Sequence, residues 1–205
     1  MGVSFDHFKP WAEGAHGFFL VYGAMNIILI GYRCSGKTQV GKLLARKLSM
    51  GFCDTDGYVE GLAGKSVERL VAEEGWDHFR LEERRAVAVL AKRDRQVIAT
   101  GGGVALNEEN MRKLRENGWV VWLNATPETL EGRMEAEERA ERFRPSLTGR
   151  CPQEEIGPVL EERAPLYEGA ADFTIDTTRI SLDEAAGEIV KAFEERKLEQ
   201  IHGGK

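Results

Sequence analysis

Short apolar runs alternate along the chain with stretches of helically spaced apolar positions. The run NIILI at 26–30 has no alternating polar position, the pattern of a strand buried on both faces, and a turn-prone GYRCSG follows it. Residues 37–48 then place Val40, Leu43, Leu44 and Leu48 on one helical stripe, so the chain opens with a strand, a loop and a helix. GFCDTD at 51–56 reads as a second brief strand ending in acids. Residues 66–74 and 76–92 read as helices separated by Gly75, and RQVIAT at 95–100 as a strand running into three glycines. Asn107 caps a helix through Glu116, WVVWLN at 119–124 is another buried strand, and Thr126 with Pro127 starts a helix. DFTID at 172–176 is the last strand, before an amphipathic helix over 182–196 that carries Leu182, Ala186, Ile189, Val190 and Phe193. Such alternation predicts an α/β fold, a three-layer α/β/α sandwich around a central five-stranded parallel sheet.

Two stretches break the pattern. Residues 1–25 carry Phe, Trp, His and Gly without a sustained period and read as an N-terminal extension to a domain spanning 26–197, with a flexible tail at 198–205. Residues 131–150, EGRMEAEERAERFRPSLTGR, hold five arginines and five glutamates with almost no apolar stripe. That composition suits a solvated, salt-bridged excursion or a mobile lid that presents arginines to a ligand.

A chain of 205 residues, 42% apolar and 30% charged, is long enough for one generous domain without a disulfide or metal staple. Its 28 Lys and Arg against 34 Asp and Glu leave a net charge of -6, which argues against nucleic acid or an anionic membrane as a general partner. Three scattered cysteines, Cys34, Cys53 and Cys151, make neither a disulfide framework nor a metal knuckle and suit a reducing, cytoplasmic setting. No run approaches a membrane span, and GFFLVYGAM at 17–25 lacks the basic flank of a secretory signal. No heptad or other assembly motif appears, so a monomer is expected.

The chemistry begins at residues 31–38, GYRCSGKT, which satisfy G-x-x-x-x-G-K-[ST] between a buried strand and a helix, the setting of a P-loop NTPase fold. Such a loop wraps backbone N–H groups around a β-phosphate, Lys37 neutralises the β and γ phosphates, and the Thr38 hydroxyl completes a Mg²⁺ shell. Gly31, Cys34, Ser35, Gly36, Lys37, Thr38 and Gln39 are therefore the expected ATP contacts. The D-x-x-G and N-K-x-D of switch GTPases are absent, which leaves small-molecule and nucleotide kinases.

Five further motifs follow in order: Asp54-Thr55-Asp56, Phe79-Arg80-Leu81-Glu82-Glu83, Gly101-Gly102-Gly103, Arg144-Pro145-Ser146-Leu147 and Arg163-Ala164-Pro165-Leu166-Tyr167. In this series the chain resembles the shikimate kinases over residues 26–196. The resemblance implies ATP-dependent phosphorylation of the 3-hydroxyl of shikimate. It assigns Asp54 to magnesium, Asp56 to the ring hydroxyls beside the attacking oxygen, Arg80 and Arg163 to the substrate carboxylate, and Glu83 to holding Arg80. It also implies that the triglycine turn lines the acceptor pocket, that Arg144 is the lid arginine closing on the transferred phosphate, and that Arg133 packs over the adenine, with Arg139 or Arg142 in competition. Arg179, after the last strand, belongs to the expected adenine surroundings. Lys37, Asp56 and Arg144 are the expected catalytic residues. A kinase of another small hydroxy acid such as gluconate, and a nucleotide-binding module without turnover, are the alternatives. The chain departs from the family pattern at Cys34, commonly glycine, at Ser146, commonly leucine, and in the length of the lid.

Overall fold

The structure, a computed structural model, describes residues 25–139 and 152–202. Strands β1 (Asn26–Ile30), β2 (Gly51–Asp54), β3 (Gln96–Ala99), β4 (Gly118–Asn124) and β5 (Phe173–Asp176) form one sheet, parallel throughout, in the order β2-β3-β1-β4-β5. Parallel neighbours need long crossovers, and helices supply them. They are α1 (Lys37–Lys47), α2 (Thr55–Ala63), α3 (Val67–Leu90), α4 (Glu108–Arg115), α5 (Pro127–Arg139) and α6 (Pro152–Ala170), with α7 (Leu182–His202) closing the fold after β5.

The central strand explains the layering. Ile27 and Leu29 point into a core built with Val40 and Leu44 of α1 and Ile189 and Phe193 of α7. Ile28 and Ile30 point the other way, to Val87 and Leu90 of α3, Met111 and Leu114 of α4, and Tyr167 of α6. All four β1 side chains are fully buried, so an apolar run without alternation is what a strand between two helical layers requires. Asn26, buried at the start of β1, donates its amide to the Arg93 carbonyl (2.6 Å) and accepts from Gln96 N–H (2.8 Å), which satisfies the one polar side chain in the strand.

Two helices were not foreseen. α2 begins where the extended Asp54-Thr55-Asp56 was expected, and its glycines, Gly57 and Gly61, dilute the helical pattern. α6 contains Pro158 and Pro165, which read in sequence as breakers. The arginine-rich stretch also differs from expectation: residues 131–139 continue α5, where Leu130 and Met134 form an i,i+4 pair buried against Ile156 and Val159 of α6. The rest of the expected lid, with Arg142 and Arg144, lies outside the described residues. At the C-terminal end α7 runs to His202, past the expected boundary at 197.

Gly75 breaks α3 into two helical stretches with φ 84° and ψ 168°, a conformation essentially confined to glycine. Gly61 by contrast is exposed within α2, and a Cβ added there would meet nothing within 4 Å. Gly75→Ala should therefore destabilise by about 1–3 kcal/mol, whereas Gly61→Ala should stabilise by about 0.5–1 kcal/mol. Urea melts of both variants check the pair of signs.

Candidate active site

The phosphate loop joins β1 to α1 at the carboxyl edge of the sheet, where parallel sheets bind their ligands. Gly31 has φ 138°, and a Cβ there would meet the Leu123 carbonyl at 2.5 Å, so only glycine lets the loop leave β1 beside β4. Gly36 caps α1 in the left-handed conformation, φ 97°. Lys37 is buried, and its ammonium donates to the carbonyls of Gly31 (2.9 Å) and Tyr32 (2.6 Å) and to Ser35 Oγ (3.4 Å). These acceptors are neutral, so none of them cancels the cationic charge. Cys34 is held at φ 62°, strained for any residue with a side chain, which explains why glycine is common here in the family pattern. Its thiol is buried and donates to Glu137 Oε2 of α5 at 3.5 Å.

Beside the loop stands β2. Thr38 Oγ1 donates to Asp54 Oδ2 at 2.7 Å, while Asp54 Oδ1 accepts from the N–H groups of Asp56 (3.1 Å) and Gly57 (3.3 Å). Asp54 is thus both the N-cap of α2 and the partner of the loop hydroxyl. The chain turns helical directly after it, so Asp56 reaches the cleft from the first turn of α2 rather than from a continuing strand.

The triglycine turn after β3 makes room for side chains. A Cβ on Gly101 would fall on Asp56 Oδ1, and one on Gly103 on the Arg80 guanidinium. Gly101 N–H donates to the buried Thr55 Oγ1 at 2.7 Å, which ties the turn to α2. Arg80, on α3, places Nη1 2.7 and 2.8 Å from the two carboxylate oxygens of Glu83 and lies over the rings of Trp76 and Phe79. Burial pushes the Glu83 carboxyl up from the ordinary value, against the opposing pull of Arg80.

From α6 come Arg163 and Tyr167, both buried, which donate to the Gly102 carbonyl at 3.4 and 2.6 Å. Near the start of the same helix Glu155 makes a buried ion pair with Arg33 of the phosphate loop at 3.0 Å. Opposite, Arg133 of α5 donates to the Cys34 carbonyl (3.4 Å) and to Thr177 Oγ1 and carbonyl oxygen (3.1 and 2.6 Å). Thr177 also bonds the carbonyls of Asn124 and Ser35, so the ends of β4 and β5 and the phosphate loop share one hydroxyl.

All of this surrounds one cleft of about 1020 Å³. Of the expected residues, Cys34, Gly36, Lys37, Thr38 and Gln39 line its donor end, with Arg133. Asp54, Asp56, Arg80, Gly101, Gly102, Gly103 and Arg163 line the remainder. Gly31 and Ser35 are buried beneath the loop. Arg179 is exposed and absent from the lining, where Ile180, Ser181 and Leu182 stand instead. Arg144 is outside the described residues. Sequence reasoning passed over Arg33, since an arginine in the variable part of the loop carries no pattern of its own, and Trp76, whose only signal was its place three residues before Phe79.

Comparison with known proteins gives a consistent result. A family model described as shikimate kinase matches residues 33–194. The chain is 45% identical over 172 residues to a shikimate kinase of Symbiobacterium thermophilum, covering 84% of this chain and 98% of that one. It is 41% identical over 181 residues to one of Syntrophus aciditrophicus, covering 84% and 93%. Among solved structures, the Acinetobacter baumannii shikimate kinase in complex with shikimate superposes with a TM-score of 0.79 at 31% identity, over 87% of this chain and 98% of that one. A gluconokinase of Sinorhizobium meliloti superposes with a TM-score of 0.57 at 19% identity, which shows the fold alone.

Glu155→Ala removes one partner of the buried ion pair with Arg33, and such a loss costs about 3–5 kcal/mol. A urea melt should show that loss, whereas truncation of an exposed pair such as Glu109 with Arg112 should shift stability by about 1 kcal/mol at most.

Proposed function

The chain belongs to the shikimate kinase family, and we propose that it transfers the γ-phosphoryl group of ATP to the 3-hydroxyl of shikimate, giving shikimate 3-phosphate and ADP. The observation that carries this reading is that a single cleft holds the phosphate loop at one end and Arg80, Arg163, Asp56 and the triglycine turn at the other.

In the proposed reaction, triphosphate oxygens replace the loop carbonyls as partners of the Lys37 ammonium. The hard oxygens of Thr38 and Asp54, already joined at 2.7 Å, suit Mg²⁺. They would hold the ion, which supplies charge neutralisation across the β and γ phosphates when bound. Arg80 and Arg163 clamp the acceptor carboxylate, and Glu83 fixes the Arg80 fork from below. Asp56 orients the attacking hydroxyl and accepts its proton as the new P–O bond forms; the γ-phosphorus–oxygen bond to ADP breaks in the same transfer. Alignment and charge neutralisation carry most of such a reaction, so orientation is the first role of Asp56 and proton acceptance the second.

Arg133 borders the nucleotide end, and we assign it to the ATP surroundings. Arg144 is proposed as the arginine that meets the transferred phosphate, on the strength of its RPSL motif within a lid at 131–150. The kinase unit is proposed as residues 26–197. It is proposed to work as a monomer, on the sequence reading that no heptad or other assembly motif appears. Among the described residues no helix is long and apolar enough to cross a membrane. We propose a cytoplasmic setting, which the three scattered cysteines of the sequence suit.

An assay with ATP, Mg²⁺ and shikimate should yield shikimate 3-phosphate, with gluconate and nucleoside monophosphates as poor acceptors. Lys37→Ala should lower kcat by at least about a hundredfold with an unchanged circular dichroism spectrum. Turnover of gluconate but not shikimate overturns the assignment of the acceptor.

Glu83 generates a pH prediction. Its carboxyl titrates above the ordinary glutamate value, so on acidification it protonates earlier than an exposed glutamate and Arg80 loses its anionic partner. The KM for shikimate should therefore rise on the acid side, starting above the ordinary carboxylate range, while the KM for ATP follows less. Glu83→Gln should raise the shikimate KM at neutral pH and flatten the acid limb, as steady-state kinetics across pH can establish.

A further inference from the structure

The buried phenol of Tyr167 has no role in the transfer just described. Its ring lies 6.0 Å from that of Trp122 and has no exposed surface. Its hydroxyl donates to the Gly102 carbonyl at 2.6 Å, shorter than the 3.4 Å bond that Arg163 Nη1 makes to the same oxygen. The Gly102–Gly103 peptide is trans. Such a peptide is planar, with its C=O and N–H directed oppositely. Anchoring the Gly102 carbonyl toward α6 therefore turns the Gly103 N–H away from that helix. Neither the Gly102 nor the Gly103 N–H has a hydrogen-bond partner among the described residues, and both residues line the cleft.

The second consequence falls on Arg163. Its guanidinium lines the cleft, and its Nε has no partner among the described residues. The phenol supplies the short bond to the carbonyl, while Arg163 makes the long one and also interacts with the phenol oxygen itself.

We propose that Tyr167 is a positioning residue of the acceptor site: its hydroxyl fixes the Gly102–Gly103 peptide so that the turn presents N–H groups to the acceptor, and it holds the Arg163 guanidinium beside that carbonyl. Glycine makes this restraint necessary, since residues 101–103 have no side chains to limit their own backbone. This inference rests on the shikimate reading of the site.

Removing the hydroxyl without the ring tests it. In Tyr167→Phe the Gly102 carbonyl loses its short bond and the Arg163 guanidinium loses the phenol oxygen beside it, which loosens the guanidinium and frees the peptide to rotate. The KM for shikimate should rise about tenfold, the scale of one lost hydrogen bond. The KM for ATP and kcat should stay within about twofold. Calorimetric titration of shikimate into the nucleotide-free protein should show the same weakening. Trp122→Phe disturbs the packing beside the same ring and keeps the hydroxyl, so it should lower the melting temperature without separating the two KM values. An unchanged shikimate KM in Tyr167→Phe, or equal losses for both substrates, overturns the positioning role. Failure of the wild-type protein to phosphorylate shikimate sinks the reading beneath it instead.

Discussion

Cations buried or half-buried at the carboxyl edge of the sheet must each have an acceptor before any anionic substrate arrives, and much of the site follows from that constraint. Lys37 rests on the carbonyls of Gly31 and Tyr32, Arg163 on that of Gly102, Arg33 on Glu155 and Arg80 on Glu83. The partners are of two kinds, with different consequences. A carbonyl is neutral and is readily given up for a phosphate or carboxylate, so Lys37 and Arg163 are poised to change partners. A buried carboxylate cannot be left alone cheaply, so Arg33 and Arg80 keep their geometry, and Arg80 meets an acceptor with the edge of its fork that Glu83 leaves free.

The same constraint accounts for the glycines. Three in succession were expected to let a ligand approach the backbone, and the structure adds a second reason. Asp56 and the Arg80 guanidinium occupy the space that side chains on Gly101 and Gly103 would need. The turn is therefore packed against the groups that surround the acceptor, and its exposed N–H groups come with that packing. Asp54 likewise serves two neighbours at once: one carboxylate oxygen caps α2 and the other meets Thr38.

What was legible in the sequence was local. The phosphate loop is contiguous, the Arg80–Glu83 pair is one helical turn apart, and β1, β3 and β4 announce themselves as apolar runs. What escaped was long-range or disguised. Glu155 lies 122 positions from Arg33, and nothing in either neighbourhood marks the pairing. α6 was hidden by Pro158 and Pro165, and α2 by its glycines, because tertiary burial overrode weak local propensity. Both hidden helices contribute to the site: α2 brings Asp56, and α6 brings Glu155, Arg163 and Tyr167. α6 thereby touches the donor end through Arg33 and the acceptor end through Gly102, so a helix with an unpromising sequence spans both halves of the cleft.

The net charge of -6 looks unsuited to an enzyme with two anionic substrates, but the placement of the charges removes the conflict. Many acids on outer helical faces are paired within a turn or so, as Glu73 is with Arg69 and Glu109 with Arg112. The pairs are exposed, and their residual field fades within about 8 Å at physiological ionic strength. Lys37, Arg33 and Arg163 line the cleft from buried positions and Arg80 from a half-buried one, so they act on a ligand with far less screening. Overall charge is a property of the surface as a whole, while recognition of phosphate and carboxylate depends on a few shielded groups that line the cleft. A count of acids and bases therefore argues against a polyanion that would coat the protein, and it carries no argument against a small anion that enters the cleft.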